Sequence, residues 1–412
     1  MTENLSSQLE KYLPPPVLAL AKIGGQEASK LGQELYIVGG VVRDLFLGRA
    51  NFDFDLVVEG DAINLAKRLA KDSQAKLTAH TRFGTAKLDY PGFSLDLATA
   101  RSETYSKPGA LPTVKPGSLK DDLIRRDFSI NAMALHLNPQ RFGELIDLYQ
   151  GKDDLERHLI RILHPKSFVD DATRILRAIR YEQRLGFKLE AETEKLLRHH
   201  VAMLDTISGD RIRHELELTL KEDEPERALR RAEELGVISQ LCPSLKGNGW
   251  LRKMFSKARQ IDVRLSLPIL YLCLLVYNLN AKENENFIVR LNSPRNSAEA
   301  MRQALQLKAQ LYKLTNPKLK ASEIYRLLHA YSAPAIQANA LASESPIASQ
   351  NLLLYLNKLR YVKPMLDGKD LQKMGVPTGP KVGEILSALQ KARLDGKVKT
   401  RKDEEKLVHH LR

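Results

Sequence analysis

Along the first third of the chain, hydrophobic and polar residues alternate in short runs; beyond it, apolar residues recur every three or four positions. LYIV, Leu35 to Val38, and FDFDLVV, Phe52 to Val58, read as strands, and TAKLDY and FSLDLATA add two more. Between them AINLAKRLAKDS has helical spacing, with its basic residues on the exposed side. A mixed sheet domain over roughly Leu31 to Leu148 is therefore predicted, a normal domain length. From Asp153 onward the three-and-four spacing continues through Arg177, Glu215 and Ala232, and strand signals fade, so the remainder is predicted to be helical. Within the sheet domain, Arg101 to Ile124 carries Pro108, Pro112 and Pro116 without any period and reads as a long loop able to move over a site. The fold class is α+β, a small mixed sheet followed by all-helical parts.

Length, charge and cysteine content narrow the function. The 412 residues exceed what one core usually organises, so several domains are expected. With 64 basic against 50 acidic side chains the net charge is +14, which favours a polyanionic partner. Cys242 and Cys273 lie in separate apolar segments without metal-ligand spacing, which argues against a disulfide framework or a zinc site and for a reducing compartment. The N-terminal MTENLSSQLEKYLPPP lacks the basic start and apolar run of an export signal. The most apolar stretch, Leu265 to Leu279, is too short for a membrane span and reads as a core helix. A cytoplasmic location without membrane contact is expected.

Three strings carry candidate chemistry. GGVVRD, Gly39 to Asp44, follows a strand and opens a helix; its glycines let backbone N–H groups approach a phosphate, although a plain tight turn has the same sequence. Asp53 and Asp55 are two apart on a strand and so share a face. Two carboxylates converging there suit a hard divalent cation such as Mg²⁺, the alternative being a solvent-facing strand edge. Asp96, between Leu95 and Leu97, offers a third carboxylate. DDATRILRAIRY, Asp170 to Tyr181, reads as one helix on which Asp171 and Arg174 share a face, as do Arg174 and Arg177; the pair is either a base-reading couple or a solvated ion pair.

Taken together, GG-x-VRD followed by a strand Asp-x-Asp resembles the DNA polymerase β-like nucleotidyltransferase superfamily, and within it the class II tRNA nucleotidyltransferase and poly(A) polymerase family. RRDFSINAMAL, Arg125 to Leu135, is similar to that family's string for ribose and triphosphate contacts, and DLYQGKDDL, Asp147 to Leu155, to its flexible joint between head and neck. The family carries Glu-Asp-x-x-Arg where this chain has Asp170, Asp171 and Arg174. The shorter Asp170 puts the first acid's orienting role in doubt and leaves the other two in place.

The resemblance implies a catalytic head over residues 1–148, a nucleotide-selecting neck over 149–208, a body over 209–330 and a tRNA-binding tail over 331–412. It implies Asp53 and Asp55 as Mg²⁺ ligands, with Asp96 a third catalytic carboxylate. Gly39, Gly40, Arg43 and Asp44 would place the triphosphate, and Arg126, Asp127 and Asn131 would hold ribose and phosphates. Asp171 and Arg174 would select CTP or ATP by pairing with the base, with Arg177 and Arg180 nearby on the nucleotide. In the tail, DGKDLQKMGVPTGPKVGEIL supplies Lys369, Lys373, Gly379 and Lys381 for the acceptor arm of tRNA. The implied reaction is untemplated completion or repair of the 3′-terminal CCA of tRNA. An enzyme adding only A beside a CC-adding partner, or a poly(A) polymerase, shares these motifs, and a non-catalytic RNA-binding protein of the same fold is the alternative of a different class.

Overall fold

The computed structural model describes residues 3–49, 54–71, 75–261 and 267–411. Two compact units emerge, Met1–Glu215 with Leu235–Val237, and Leu216–Glu234 with Ile238–Arg412.

The first unit is built on a seven-stranded sheet. Its strands are β1 (Glu34–Val38), β2 (Phe54–Glu59), β3 (Lys76–His80), β4 (Thr85–Tyr90), β5 (Phe93–Thr99), β8 (Met133–His136) and β9 (Leu145–Asp147), in the order β3-β4-β5-β2-β1-β8-β9. β2 and β5 run parallel; the other pairs are antiparallel. The alternation legible in the sequence sets the two faces. Leu56, Val58, Ala86, Leu88, Leu95 and Leu97 are buried, and helix Ala62–Lys71 packs against β3, β4 and β5. On the opposite face Tyr36, Val38, Val57 and Ala134 form a core with Leu119 and Leu123 of helix Leu119–Ile124. That helix packs on β2 and on the neighbouring strand Arg101–Thr104.

The segment read as a proline-rich loop is ordered secondary structure. β6 (Arg101–Thr104) and β7 (Thr113–Pro116) form a separate antiparallel ribbon. Proline is tolerated because Pro116 ends a strand of a two-stranded, all-edge sheet, and Pro108 and Pro112 fall in the connection. Helix Leu119–Ile124 then starts at a capping box in which Ser118 and Asp121 satisfy each other's backbone N–H.

Two further expectations change. The neck is not wholly helical, because β10 (Leu159–Ile160) and β11 (Lys188–Leu189) pair in parallel. The stretch likened to a flexible joint is tightly held: Asp147 accepts hydrogen bonds from the backbone N–H of Tyr149, Gly151 and Lys152. A Cβ at Gly151 would lie 2.4 Å from the Ser129 carbonyl oxygen, so only glycine allows this approach.

The second unit is helical throughout its described residues. The apolar run is confirmed as a core helix, Leu267–Leu275, with Leu270 to Leu275 buried. No described helix is long and apolar enough to cross a membrane. In the last third, helices Gly368–Lys373, Pro380–Leu394 and Arg401–Leu411 share a small core of Leu371, Ile385, Leu389 and Val408. Glu404 is fully buried there, accepting from the N–H of Met365 and Leu366 and from Arg393 at 3.0 Å. Removing that carboxylate strands three donors in a small core. Glu404→Ala is therefore expected to destabilise this part by about 3 kcal/mol, read as a lower urea midpoint for the helical unit; an unchanged midpoint would show that water replaces the carboxylate at no cost.

Candidate active site

The Gly39–Gly40 turn forms as expected between β1 and helix Gly40–Phe46, with Gly39 at φ +78°. A Cβ at Gly39 would sit 3.0 Å from Arg126 Nη1 and 3.8 Å from Asp55 Oδ2, so the turn needs glycine for its conformation and for the groups crowding over it. Beside it opens a cleft of about 640 Å³. Seven arginines line it (Arg43, Arg125, Arg126, Arg174, Arg177, Arg184 and Arg211) against four carboxylates, those of Asp55, Glu103, Asp127 and Asp171. Such a surplus of guanidinium groups suits a polyphosphate.

Buried carboxylates hold the arginines in place. Asp122, fully buried on helix Leu119–Ile124, accepts from Arg125 at 2.6 Å on one oxygen and from Arg126 at 2.9 Å on the other. Asp127 accepts from the Phe128 N–H at 2.8 Å, Asn131 Nδ2 at 3.0 Å and Arg177 Nε at 3.0 Å. Burial pushes the Asp127 carboxyl up, but the Arg177 charge and the bonds from Asn131 and Arg177 outweigh it and hold the group below the usual carboxylate range. Asn131 in turn accepts from Arg43 Nη1 at 2.7 Å, while Asp44 binds the other edge of the same guanidinium at 2.8 and 3.0 Å. Arg43, Arg177 and Arg180 surround the ring of Tyr181, with centroid distances of 5.4, 5.7 and 5.2 Å.

At the neck side of the cleft the single helix expected over Asp170 to Tyr181 is broken. Helix Ser167–Asp170 stops, Asp171 is extended (φ −141°, ψ 100°), and a new helix runs Thr173–Leu185. Asp171 and Arg174 thus do not share a helical face, yet both line the cleft. The break lets Asp171 Oδ1 accept from the Thr173 N–H and hydroxyl and from Arg211 at 2.7 Å; Oδ2 has no partner among the described residues. Arg174 donates to Ser167 Oγ at 2.6 Å and to the Arg125 carbonyl. The couple is thus held from behind by Thr173, Arg211, Ser167 and the Arg125 carbonyl.

Asp55 and Asp96 are register partners across the parallel β2–β5 pair and face the same way. Asp53 lies outside the described residues. Asp96 does not line the arginine cleft; it lines an adjoining depression of about 410 Å³ that shares Asp55, Arg125 and Arg126 with the cleft. Asp44 and Arg180 stand behind the cleft as supports, Arg180 donating to Glu215 at 3.1 Å. In the tail, Lys369, Lys373, Gly379 and Lys381 are exposed around the turn between helices Gly368–Lys373 and Pro380–Leu394.

Several lining residues escaped the sequence reading. Glu103, Tyr105 and Pro112 enter from the ribbon that was read as a loop, and Glu103 accepts from Arg101, Arg125 and Tyr105. Arg125 and Tyr181 stood inside strings already singled out, where their charge and ring were the available signal. Arg184 and Arg211 had no local signal, since their place depends on helix packing.

Residues 35–161 match the Poly A polymerase head domain family, and residues 186–247 match a family described as a probable RNA and SrmB-binding site of polymerase A. The chain is 35% identical to an A-adding tRNA nucleotidyltransferase of Geobacter sulfurreducens over 98% of its own length, but it spans only 48% of that protein. A second A-adding tRNA nucleotidyltransferase, from Halalkalibacterium halodurans, is 33% identical over 98% of this chain and 94% of that one. Among solved structures, a Thermotoga maritima CCA-adding enzyme complexed with tRNA-CCA superposes with a TM-score of 0.78 at 32% identity, covering 100% of this chain and 99% of that one. Likeness of this extent, over a fold and cleft of this kind, makes the chain a member of the class II tRNA nucleotidyltransferase family.

Proposed function

We propose that this protein adds nucleotides to the 3′ end of tRNA, building or repairing the terminal CCA from CTP and ATP without a nucleic-acid template. The observation that carries this reading is the cleft itself, where a Gly-Gly turn, a strand carboxylate, seven arginines and a fixed Asp171/Arg174 edge converge. In the reaction the terminal 3′-hydroxyl oxygen bonds to the α-phosphorus, the bond from that phosphorus to the β-bridging oxygen breaks, and pyrophosphate leaves while the hydroxyl proton passes to solvent. Arg43, Arg126 and the N–H groups at Gly39 and Gly40 would hold the triphosphate. Asp127 and Asn131 keep Arg43 and Arg177 aimed at it. Asp171 Oδ2 would accept from the exocyclic amino group shared by cytosine and adenine, which GTP and UTP do not present in the same place.

The oxygen-only donor set of Asp55 and Asp96, side by side on adjacent strands, fits Mg²⁺, with Asp53 the remaining candidate ligand from the sequence. When bound, Mg²⁺ lowers the pKa of the attacking hydroxyl and offsets charge on the departing pyrophosphate. Lys369, Lys373 and Lys381, with the helix start after Gly379, would grip phosphates of the acceptor and T arm without reading sequence. tRNA maturation and two free, buried cysteines both fit a cytoplasmic location.

A narrower reading, addition of the terminal A alone, is favoured by the A-adding names of two relatives aligned over nearly the whole chain. Transcripts ending at the discriminator base, after C and after CC, incubated with CTP and ATP and resolved to one nucleotide, separate the two. Extension of all three to CCA is expected; extension of the CC-ending transcript alone would establish the A-adding enzyme, and no extension would return the chain to RNA binding without catalysis.

Asp55→Asn is expected to lower turnover about a thousandfold, several kcal/mol of transition-state charge stabilisation, with tRNA affinity retained in a filter-binding titration. Retained turnover would remove Asp55 from the metal site. Asp171→Asn, which turns an acceptor edge partly into a donor, is expected to erode preference for CTP and ATP over UTP and GTP by about tenfold or more, measured as kcat/KM ratios. Unaltered ratios would place base selection elsewhere.

A further inference from the structure

Asp171 and Arg174 carry opposite charges three positions apart, the spacing that on an unbroken helix closes into an ion pair. A couple paired with itself has no edge left for a base. Here the two do not bond to each other, and different neighbours hold them. Arg174 donates to Ser167 Oγ and to the Arg125 carbonyl. Asp171 Oδ1 accepts from the Thr173 N–H, the Thr173 hydroxyl and Arg211 Nη2, and Arg211 at 2.7 Å is its one charged donor among the described residues. Arg211 comes from outside the strings that build the rest of the edge, in the first turn of helix Gly209–Thr219. Ile212 beside it is fully buried and fixes how that turn lies. Glu215, one turn on and on the same face as Arg211, accepts from Arg180 at 3.1 Å and stands 3.5 Å from Arg177. Two charges on one helix thus meet opposite charges at both places, Arg211 on Asp171 and Glu215 on Arg177 and Arg180, which seats Arg211 on the carboxylate.

We infer that Arg211 is a positioning residue for base selection: by holding Asp171 Oδ1 it keeps that carboxylate off Arg174, so that Oδ2 and the Arg174 guanidinium stay apart as an acceptor and a donor for the incoming base. The inference rests on the reading of Asp171 and Arg174 as the base-selecting edge. Thr173 alone would not suffice. Its donors are neutral, and a neutral hydrogen bond has about half the strength of a charge-assisted one, so they do not outweigh a guanidinium three positions away. A second guanidinium does, and Arg211 supplies it. Cytosine and adenine each present an amino donor beside a ring-nitrogen acceptor, whereas uracil and guanine present a carbonyl beside a ring N–H. Only a carboxylate and a guanidinium held separately tell these patterns apart, since a closed ion pair has neither a free acceptor nor a free donor in the right place.

The test measures equilibrium binding of CTP, ATP, UTP, GTP and tripolyphosphate to the full chain, separately from extension of transcripts. Wild type is expected to prefer CTP and ATP. Arg211→Gln, which keeps much of the side chain but removes its charge, should reduce that preference about tenfold, and Arg211→Lys should recover most of it. Tripolyphosphate, which has no base, should bind Arg211→Gln within about twofold of wild type, whereas a merely structural role would weaken it together with the nucleotides. Because Arg211 acts through Asp171, the double variant Asp171→Asn/Arg211→Gln should discriminate no worse than Asp171→Asn alone. A preference unmoved in Arg211→Gln, losses that add in the double variant, or tripolyphosphate binding that falls in step with nucleotide binding would overturn the assignment. If Arg211→Gln loses the preference in the expected pattern but wild type extends no transcript, the positioning role stands and the proposed reaction falls. If wild type extends transcripts yet binds all four nucleotides alike, the reaction stands and the positioning role falls.

Discussion

Packing seven guanidinium groups around one cleft calls for buried negative charge among them, and Asp122 and Asp127 supply much of it. Asp122 and Asp127 each engage arginine while having almost no contact with water, so each is a fixed negative charge in a region where like charges repel strongly. They come from the same short stretch, one inside helix Leu119–Ile124 and one just after it. Arg125 and Arg126 are bound by Asp122, Arg177 by Asp127, and Arg43 through Asn131. The site's electrostatic frame is thus assembled from one dozen-residue string meeting two others, and the cleft's surplus of positive charge depends on that frame.

The same economy extends to the Asp171/Arg174 edge. Arg174 is buttressed by the carbonyl of Arg125, whose own side chain is anchored by Asp122 and Glu103. The helix that carries Asp122, the ribbon that carries Glu103 and the helix that carries Arg174 therefore meet at one residue. A displacement of the ribbon changes what Arg125 can hold, and with it the position of Arg174.

Much of this was legible in the sequence because it is local. The strands and the Gly-Gly turn follow from alternation and from residue types at fixed spacing, whereas the pairing of Asp55 with Asp96 needed the parallel register of two strands forty residues apart. What was not legible depends on context. Prolines masked a two-stranded ribbon, since proline argues against a strand only where the strand must be paired on both sides. The break at Asp171 was hidden because its cause is a side chain folding back on Thr173 and reaching Arg211, forty residues away. Arg180 and Asp44 were read as ligand contacts from their strings, whereas burial turns them into supports. The string likened to a flexible joint is instead pinned, with Gly151 lying close against the Ser129 carbonyl.

The parallel pairing of β2 with β5, alone in an otherwise antiparallel sheet, bears on how the protein becomes competent at all. Neighbouring parallel strands cannot be joined by a tight turn, so Asp55 and Asp96 meet only after the intervening helix and the β3–β4 hairpin have folded and docked. β1, the strand that leads into the Gly-Gly turn, waits longer still, since its partner β8 lies about a hundred residues downstream. Local hairpins form early and long loops close late. A chain emerging from the ribosome thus leaves the free edge of β1 unpaired until β8 is available, so the cleft's geometry depends on long-range pairings and not on local structure alone.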